Sequence, residues 1–248
     1  MAINLTKEEA MKKIDLRKKE LITICEEKGP VLTQKARVAV VMDYSGSMRQ
    51  MFRDGTVQNV LERLLPIAMQ FDDNGEMEVW LFENGYRRMP AMTLNNFYGY
   101  VEREILNKGY HMGGTEYAPV MNDVGKKYIN EDPAQMPNYI IFITDGNNSD
   151  ATATKTAITK WSAYPIFWQF VGIGKEKFAF LTRLDNLDGR YVDNANFFAL
   201  DDIERVSDSV LYQRLLNEYP GWLALPEVQK MIRNQSTKRG FFKGLFSK

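Results

Sequence analysis

Two short apolar runs, Val38-Ala39-Val40-Val41-Met42 and Tyr139-Ile140-Ile141-Phe142-Ile143, constrain this chain more than any other feature. Each is rich in β-branched or aromatic residues and lacks polar alternation, the pattern of a strand buried on both faces of a parallel sheet. Asp43 follows the first run and Thr144-Asp145-Gly146 the second. Both aspartates therefore emerge at the carboxyl end of a strand, the edge where open α/β sheets place their ligands. Ser45 and Ser47 come just after Asp43, where a tight turn at Gly46 would bring their oxygens to one point. A third cluster is Thr115 behind Gly113-Gly114, a pair expected to adopt conformations closed to other residues and so bring the threonine in. Two carboxylates and three hydroxyls converging on one edge form a hard oxygen cage for a small divalent cation.

The remaining pattern supports an α/β architecture. Thr6 and Glu9 have capping-box spacing and Gly29-Pro30 is a stop signal, which predicts a helix from Lys7 to Lys28. A polar loop should run from Asp43 to Gly55, and a helix from Thr56 to Phe71 carries the stripe Val57, Val60, Leu61, Leu64, Leu65 and Ala68. Pro66 within it should kink it or cost it local bonding. Met77 to Phe82 reads as a strand, turning through Glu83-Asn84-Gly85 into Arg87 to Met92. Helices are predicted at Asn95–Leu106, Tyr117–Ile129, Ala151–Trp161, Glu176–Leu184 and Asp201–Asn217, and strands at Pro165–Val171 and Tyr191–Phe198. Strand and helix in alternation imply an open, doubly wound, mostly parallel central sheet with helices on both faces.

The spacing Asp43-x-Ser45-x-Ser47, then Thr115 after a Gly-rich turn, then Asp145 in Thr144-Asp145-Gly146, resembles the von Willebrand factor A (VWA) domain and its metal-ion-dependent adhesion site. The positions match in the family's order, and the resemblance covers roughly residues 35–219. It implies a Rossmann-like fold with one antiparallel edge strand, supplied by the predicted hairpin. The expected organisation is an N-terminal helical extension (1–34), a VWA domain (35–222) and a C-terminal extension with a basic amphipathic tail (223–248). It further implies that Asp43, Ser45, Ser47, Thr115 and Asp145 bind a divalent cation, Mg²⁺ first, with Mn²⁺ or Ca²⁺ also suited to oxygen ligands. In the family a coordination position stays open for a partner's Asp or Glu. The segments Ile143 to Asn148, Leu187 to Phe198 and Leu215 to Trp222 resemble the bacterial tellurium-resistance (TerF-like) group. That implies a stand-alone A domain in a stress-response complex.

Each feature also has a plainer reading. A strand-end Asp often caps the next helix, and Ser45 and Ser47 fit turn-forming roles. His111, the only histidine, is expected to be a solvated loop residue rather than a general base, and Cys25, the only cysteine, a small core residue. Gly172-Ile173-Gly174 lacks the rest of a dinucleotide fingerprint and reads as a turn; Trp80, Trp161 and Trp168 read as core. Lys and Arg total 32 and Asp and Glu total 32, which disfavours a nucleic-acid partner. The single cysteine and the missing apolar signal core favour a cytoplasmic setting, and a domain of this kind is expected to be monomeric.

Three function classes follow. The leading one is a non-enzymatic, metal-dependent protein-interaction module. A metal-dependent hydrolase or phosphatase using Asp43 is the alternative, disfavoured because Ser45 stands where a second aspartate would be needed. No Gly-x-Ser-x-Gly elbow surrounds Ser45 or Ser47, so acyl chemistry is disfavoured too. A metal-free scaffold is the third. From Lys230 to Lys248 basic residues interleave with Phe241, Phe242, Leu245 and Phe246 and no acid occurs. Such a tail would dock weakly on an anionic membrane or a partner, or serve only as a solubilising end.

Overall fold

The two apolar runs form the central strands of a six-stranded sheet. The computed structural model describes residues 6–245, with side chains through residue 235. The strands are β1 (Arg37–Asp43), β2 (Met77–Phe82), β3 (Tyr86–Met92), β4 (Asn138–Thr144), β5 (Ile166–Ile173) and β6 (Ala195–Leu200). Their spatial order is β3-β2-β1-β4-β5-β6, and every neighbouring pair is parallel except β2 and β3. The hairpin thus supplies the antiparallel edge expected of it. Strand order reverses direction beside β1, between β2 and β4, so the carboxyl ends of β1 and β4 sit at the switch point where such sheets form crevices.

Burial explains why neither central strand alternates. Val38, Val40 and Met42 of β1 face one core with Tyr139, Ile141 and Ile143 of β4. Ala39 and Val41 face the other core with Ile140 and Phe142. Each fully buried Val, Ile, Leu or Phe is worth about 1.5–3 kcal/mol, so both faces must be covered by helices. On the first face lie α1 (Lys7–Lys28) and α3 (Thr56–Phe71), which bring Ile14, Leu21, Leu61 and Leu64. The short helix α2 (Arg49–Arg53) precedes α3 inside the stretch expected to be loop. On the second face lie α5 (Ala118–Lys126) and α6 (Ala151–Trp161), which follow α4 (Tyr100–Glu104) in the chain. Trp80, Trp161 and Trp168 are buried, as is Cys25, which packs in the first core from α1.

Helix α1 begins at the predicted capping box: Thr6 N donates to Glu9 Oε2 at 2.8 Å and Glu9 N to Thr6 Oγ1 at 3.3 Å. It ends at Gly29, whose φ of 106° only glycine adopts readily. Helix α3 runs unbroken through Pro66.

Several expectations are corrected. The predicted helix Asn95–Leu106 shrinks to α4. Asn96 Oδ1 accepts from Thr93 N at 2.7 Å to make a turn, and Gly99 at φ 64° breaks the helical path. The predicted helix Asp201–Asn217 divides into a 3₁₀ turn (Ile203–Arg205) and, after α7 (Ala179–Asp185) and β6, helix α8 (Asp208–Leu215). Val206 is extended, and Ser207 caps α8 by accepting from Val210 N at 3.3 Å. The chain then forms α9 (Tyr219–Leu223) and α10 (Pro226–Leu245). The start of the expected C-terminal extension is therefore packed helix, with Val228 and Ile232 in the first core. Side chains from Ser236 to Lys248, which carry Phe241, Phe242, Leu245 and Phe246, lie outside the described residues. No described helix is long and apolar enough to cross a membrane.

Candidate metal centre

Strand β1 ends at Asp43 and β4 at Thr144, and Met42 pairs with Ile143, so the two strand ends meet at one level. Adjacent strands lie about 4.8 Å apart, which brings the first and third sequence clusters together. Asp43 is fully buried. Its Oδ1 accepts from Ser45 N at 2.8 Å and its Oδ2 from Thr144 Oγ1 at 2.6 Å. Ser45 Oγ lies 3.1 Å from Ser47 Oγ, and Ser47 Oγ donates to Asp145 Oδ1 at 2.9 Å. Four of the five predicted side chains thus occupy one connected cluster.

Thr115 arrives differently. Gly113 forms an isolated parallel bridge with Ser45, and Gly46 N donates to Gly113 O at 3.1 Å. Thr115 O accepts from Ser149 N at 2.9 Å and from Ser149 Oγ at 3.1 Å. The threonine is therefore tied to both aspartate loops by backbone, and its hydroxyl bonds none of the other four side chains. The glycine pair also works differently from expectation, because neither residue has a left-handed φ. The reason for them is close approach: a Cβ on Gly113 would lie 2.5 Å from Glu83 Oε2, and one on Gly114 2.9 Å from Asn84 Nδ2. Asn84 Oδ1 accepts from Gly114 N at 2.7 Å, docking this loop on the β2–β3 turn.

Residues that sequence reasoning missed hold the cluster. Tyr117 OH donates to Gly146 O at 2.7 Å and lies 3.2 Å from Thr144 Oγ1. Asp150 accepts from Tyr117 N at 3.0 Å and Ala118 N at 2.8 Å, capping α5 from across the site with a carboxylate favoured at a helix N-terminus. Asp150 sits in the Asn148-Ser149-Asp150 stretch, a readable cap signal for α6; its service to α5 is tertiary and leaves no local trace. His111 is exposed, as expected.

The electrostatics are those of an anionic site lacking a protein counter-ion. No salt bridge among the described residues involves Asp43 or Asp145. Burial pushes the Asp43 carboxyl up to about 6, against the hydrogen bonds from Thr144 and Ser45. Burial also raises Asp145, opposed by the Ser47 bond, with the charge of Glu176 adding to the rise. An ionised carboxylate buried with no cationic side chain beside it is costly unless a cation joins it. No cluster of three or more His, Cys, Asp and Glu capable of holding a metal occurs among the described residues. The donor set here is instead two carboxylates with neutral hydroxyls. That set fits a hard divalent ion that keeps some of its waters, and it does not fit zinc or copper.

A mostly parallel sheet with one antiparallel edge, helices on both faces and this cluster at its carboxyl edge define a von Willebrand A domain. The chain belongs to the vWA-TerF-like family, the vWA found in the TerF C terminus, whose model matches residues 35–232. It is similar to the Bacillus subtilis (strain 168) protein YcbR, with 44% identity over 246 residues, 96% of this chain and 100% of that one. Among solved structures, proximal thread matrix protein 1 of the mussel byssus has a TM-score of 0.58 at 16% identity, over 75% of this chain and 48% of that one. The von Willebrand factor type A protein from Catenulispora acidiphila has a TM-score of 0.51 at 14% identity, over 77% of this chain and 42% of that one. The chain thus spans about half the length of these two structures or less, and the likeness to them is one of fold.

Proposed function

We propose that this chain is a non-enzymatic protein-interaction module that binds its partner through a divalent cation, most simply Mg²⁺. The observation that carries the reading is Asp43: a fully buried carboxylate with no salt-bridge partner among the described residues, joined by hydrogen bonds to a cluster of hydroxyl and carboxylate oxygens. Asp43, Ser45, Ser47, Thr115 and Asp145 would hold the ion, and the ion would supply a Lewis-acidic position to an incoming Asp or Glu. Two site carboxylates offset the charge of one divalent ion, and water between an aspartate and the ion leaves it able to accept another anion. The partner is accordingly a protein presenting an acidic side chain, not a nucleic acid, and the module acts as a monomer in a cytoplasmic stress-response complex of the tellurium-resistance type. The basic C-terminal segment would add weak docking to that partner or to an anionic membrane. No observation favours a hydrolase: Asp43 is closed to solvent and both its oxygens accept hydrogen bonds, which suits a supporting anion better than a nucleophile.

The test is calorimetric titration of MgCl₂ or MnCl₂ into wild-type protein and Asp145→Ala, paired with affinity capture in Mg²⁺ and release in chelator. One site in the wild type, lost in the variant, with chelator-sensitive capture is the expected result. Equal binding by both proteins, or capture indifferent to chelator, would sink the reading.

A further inference from the structure

We propose that Thr144 and Tyr117 are positioning residues for the cation site, Thr144 by fixing the Asp43 carboxylate and Tyr117 by locking the loops that bring the other ligands to it. The inference rests on the cation reading and assigns a role to two residues outside the ligand set.

Proton accounting gives the direction of each bond. Thr144 has one hydroxyl proton and three oxygens within reach, Asp43 Oδ2 at 2.6 Å, the Tyr117 phenol at 3.2 Å and Gly146 O at 3.4 Å. The shortest bond takes it, and 2.6 Å is the length of a charge-assisted O–H···O⁻ bond. Tyr117 likewise has one proton, with Gly146 O at 2.7 Å and Thr144 Oγ1 at 3.2 Å, and Gly146 O takes it. Gly146 N, at 3.3 Å, then donates to Thr144 Oγ1 and leaves the threonine proton for Asp43. With its own proton on Gly146 O, the phenol oxygen offers Thr144 only a longer contact at 3.2 Å, and the carboxylate at 2.6 Å keeps the threonine proton.

The relay is rigid. Thr144 and Tyr117 are both fully buried. The Tyr117 ring meets Phe142 and Phe82 edge-on, with centroids 4.9 and 5.6 Å away, and its backbone N is held by Asp150 Oδ1 at 3.0 Å. One residue thereby spans all three sequence clusters. It stands two positions after Thr115, binds the carbonyl next to Asp145, and reaches Asp43 through Thr144. With Oδ2 held by Thr144 and Oδ1 by Ser45 N, the Asp43 carboxylate has one orientation, and its remaining lone pairs are what a cation or its water would meet. Removing the Thr144 hydroxyl leaves Oδ2 without a donor in a place closed to solvent, so the carboxylate is free to turn away from its binding orientation.

The experiment is Mn²⁺ titration of the full chain as wild type, Thr144→Val, Thr144→Ser and Tyr117→Phe, with near-ultraviolet circular dichroism in chelator to check packing. Valine keeps the branched shape without the hydroxyl, and serine keeps the hydroxyl without the methyl. Losing a group that orients a metal ligand typically costs 10–100-fold in affinity, and Thr144→Val should fall within about that range. Thr144→Ser should recover most of the affinity, and Tyr117→Phe should weaken binding to a lesser degree because Thr144 keeps its bond to Asp43. Should Thr144→Val not fold, the contrast between Thr144→Ser and Tyr117→Phe carries the test. Wild-type affinity in Thr144→Val, or equal losses in Thr144→Val and Thr144→Ser, would overturn the positioning role while leaving the cation site standing. No Mn²⁺ binding by the wild type would instead remove the cation reading and this role with it.

Discussion

Replacing Asp43 with asparagine should make the cation-free protein more stable and the protein as a whole deaf to cations. Burial lifts the Asp43 carboxyl from 3.8 to about 6, although Thr144 and Ser45 both donate to it. A folded-state value above the unfolded one means that the native state holds the proton more tightly. The contribution to stability is then complete below about pH 4 and is lost as pH rises through about 6. A shift of about two units at 1.36 kcal/mol each sets the loss at neutral pH at no more than about 3 kcal/mol. Asparagine cannot ionise and has nearly the same shape, so in chelator at pH 7 D43N should gain up to about 3 kcal/mol, an advantage that fades by pH 4. Cation reverses the ranking: an ion at about 100 times its Kd stabilises the wild type by about 2.7 kcal/mol, and D43N should gain almost nothing. Urea denaturation at pH 4 and pH 7, each with EDTA or with Mg²⁺, reads all four conditions. A D43N protein less stable than wild type in EDTA at pH 7 would refute the reasoning, because the buried carboxylate would then not be the uncompensated charge taken here to call for a cation.

Two further outcomes test the frame around the site. Arg63 is buried, and its Nε lies 2.5 Å from Asp208 Oδ1 while its terminal nitrogens donate to Ile203 O and Val206 O, both at 2.6 Å. Arg63→Met strands those carbonyls and leaves Asp208 only Arg17, at 3.0 Å; thermal denaturation should show a loss of about 3 kcal/mol, roughly 6–12 °C, and a drop under 2 °C would contradict it. Gly113→Ala puts a Cβ against the Glu83 and Asn84 side-chain ends, which can swing aside, so it should cost about 1 kcal/mol or less and weaken Mn²⁺ binding by loosening the loop, whereas a Cβ on Gly146 meets nothing within 4 Å; unchanged Mn²⁺ affinity in Gly113→Ala would count against close approach as the reason for the glycine.

The sheet was legible because its signals are local. Val38–Met42 and Tyr139–Ile143 can be satisfied only by burial on two faces, and that requirement carries the parallel topology with it. The capping box at Thr6 and the stripe of α3 were equally plain, and both helices have the expected bounds. Where the chain departs from expectation, a short-range polar bond competes with the helix. Thr93 and Asn96 close a turn where a helix from Asn95 was expected, and Gly99 finishes the break. Near α8, Ser207 caps a new start while Arg63, some 140 positions earlier, takes the carbonyls of Ile203 and Val206. Apolar periodicity cannot register a partner that far away.

The site divides along the same line. Residue types that ligate oxygen-seeking ions are conspicuous at strand ends, so Asp43, Ser45, Ser47, Thr115 and Asp145 could be picked out with no knowledge of what orients them. The groups that orient them carry no such mark: Thr144 reads as the context of Asp145 in Thr144-Asp145-Gly146, Tyr117 as the first residue of a helix and Asp150 as a cap for the helix that follows it. Only the fold shows that Asp150 caps α5 instead, that Tyr117 bonds the carbonyl beside Asp145, and that Thr144 points its proton at Asp43. Gly113-Gly114 follows the same logic in reverse, being noticed for conformational freedom and needed for room beside Glu83 and Asn84. A candidate ligand's identity is thus written at its own position, whereas its aim is set by hydrogen bonds from residues about 30 to 100 positions away. Substitutions at Thr144 or Tyr117 should therefore alter cation affinity in chains whose ligand motif is unchanged.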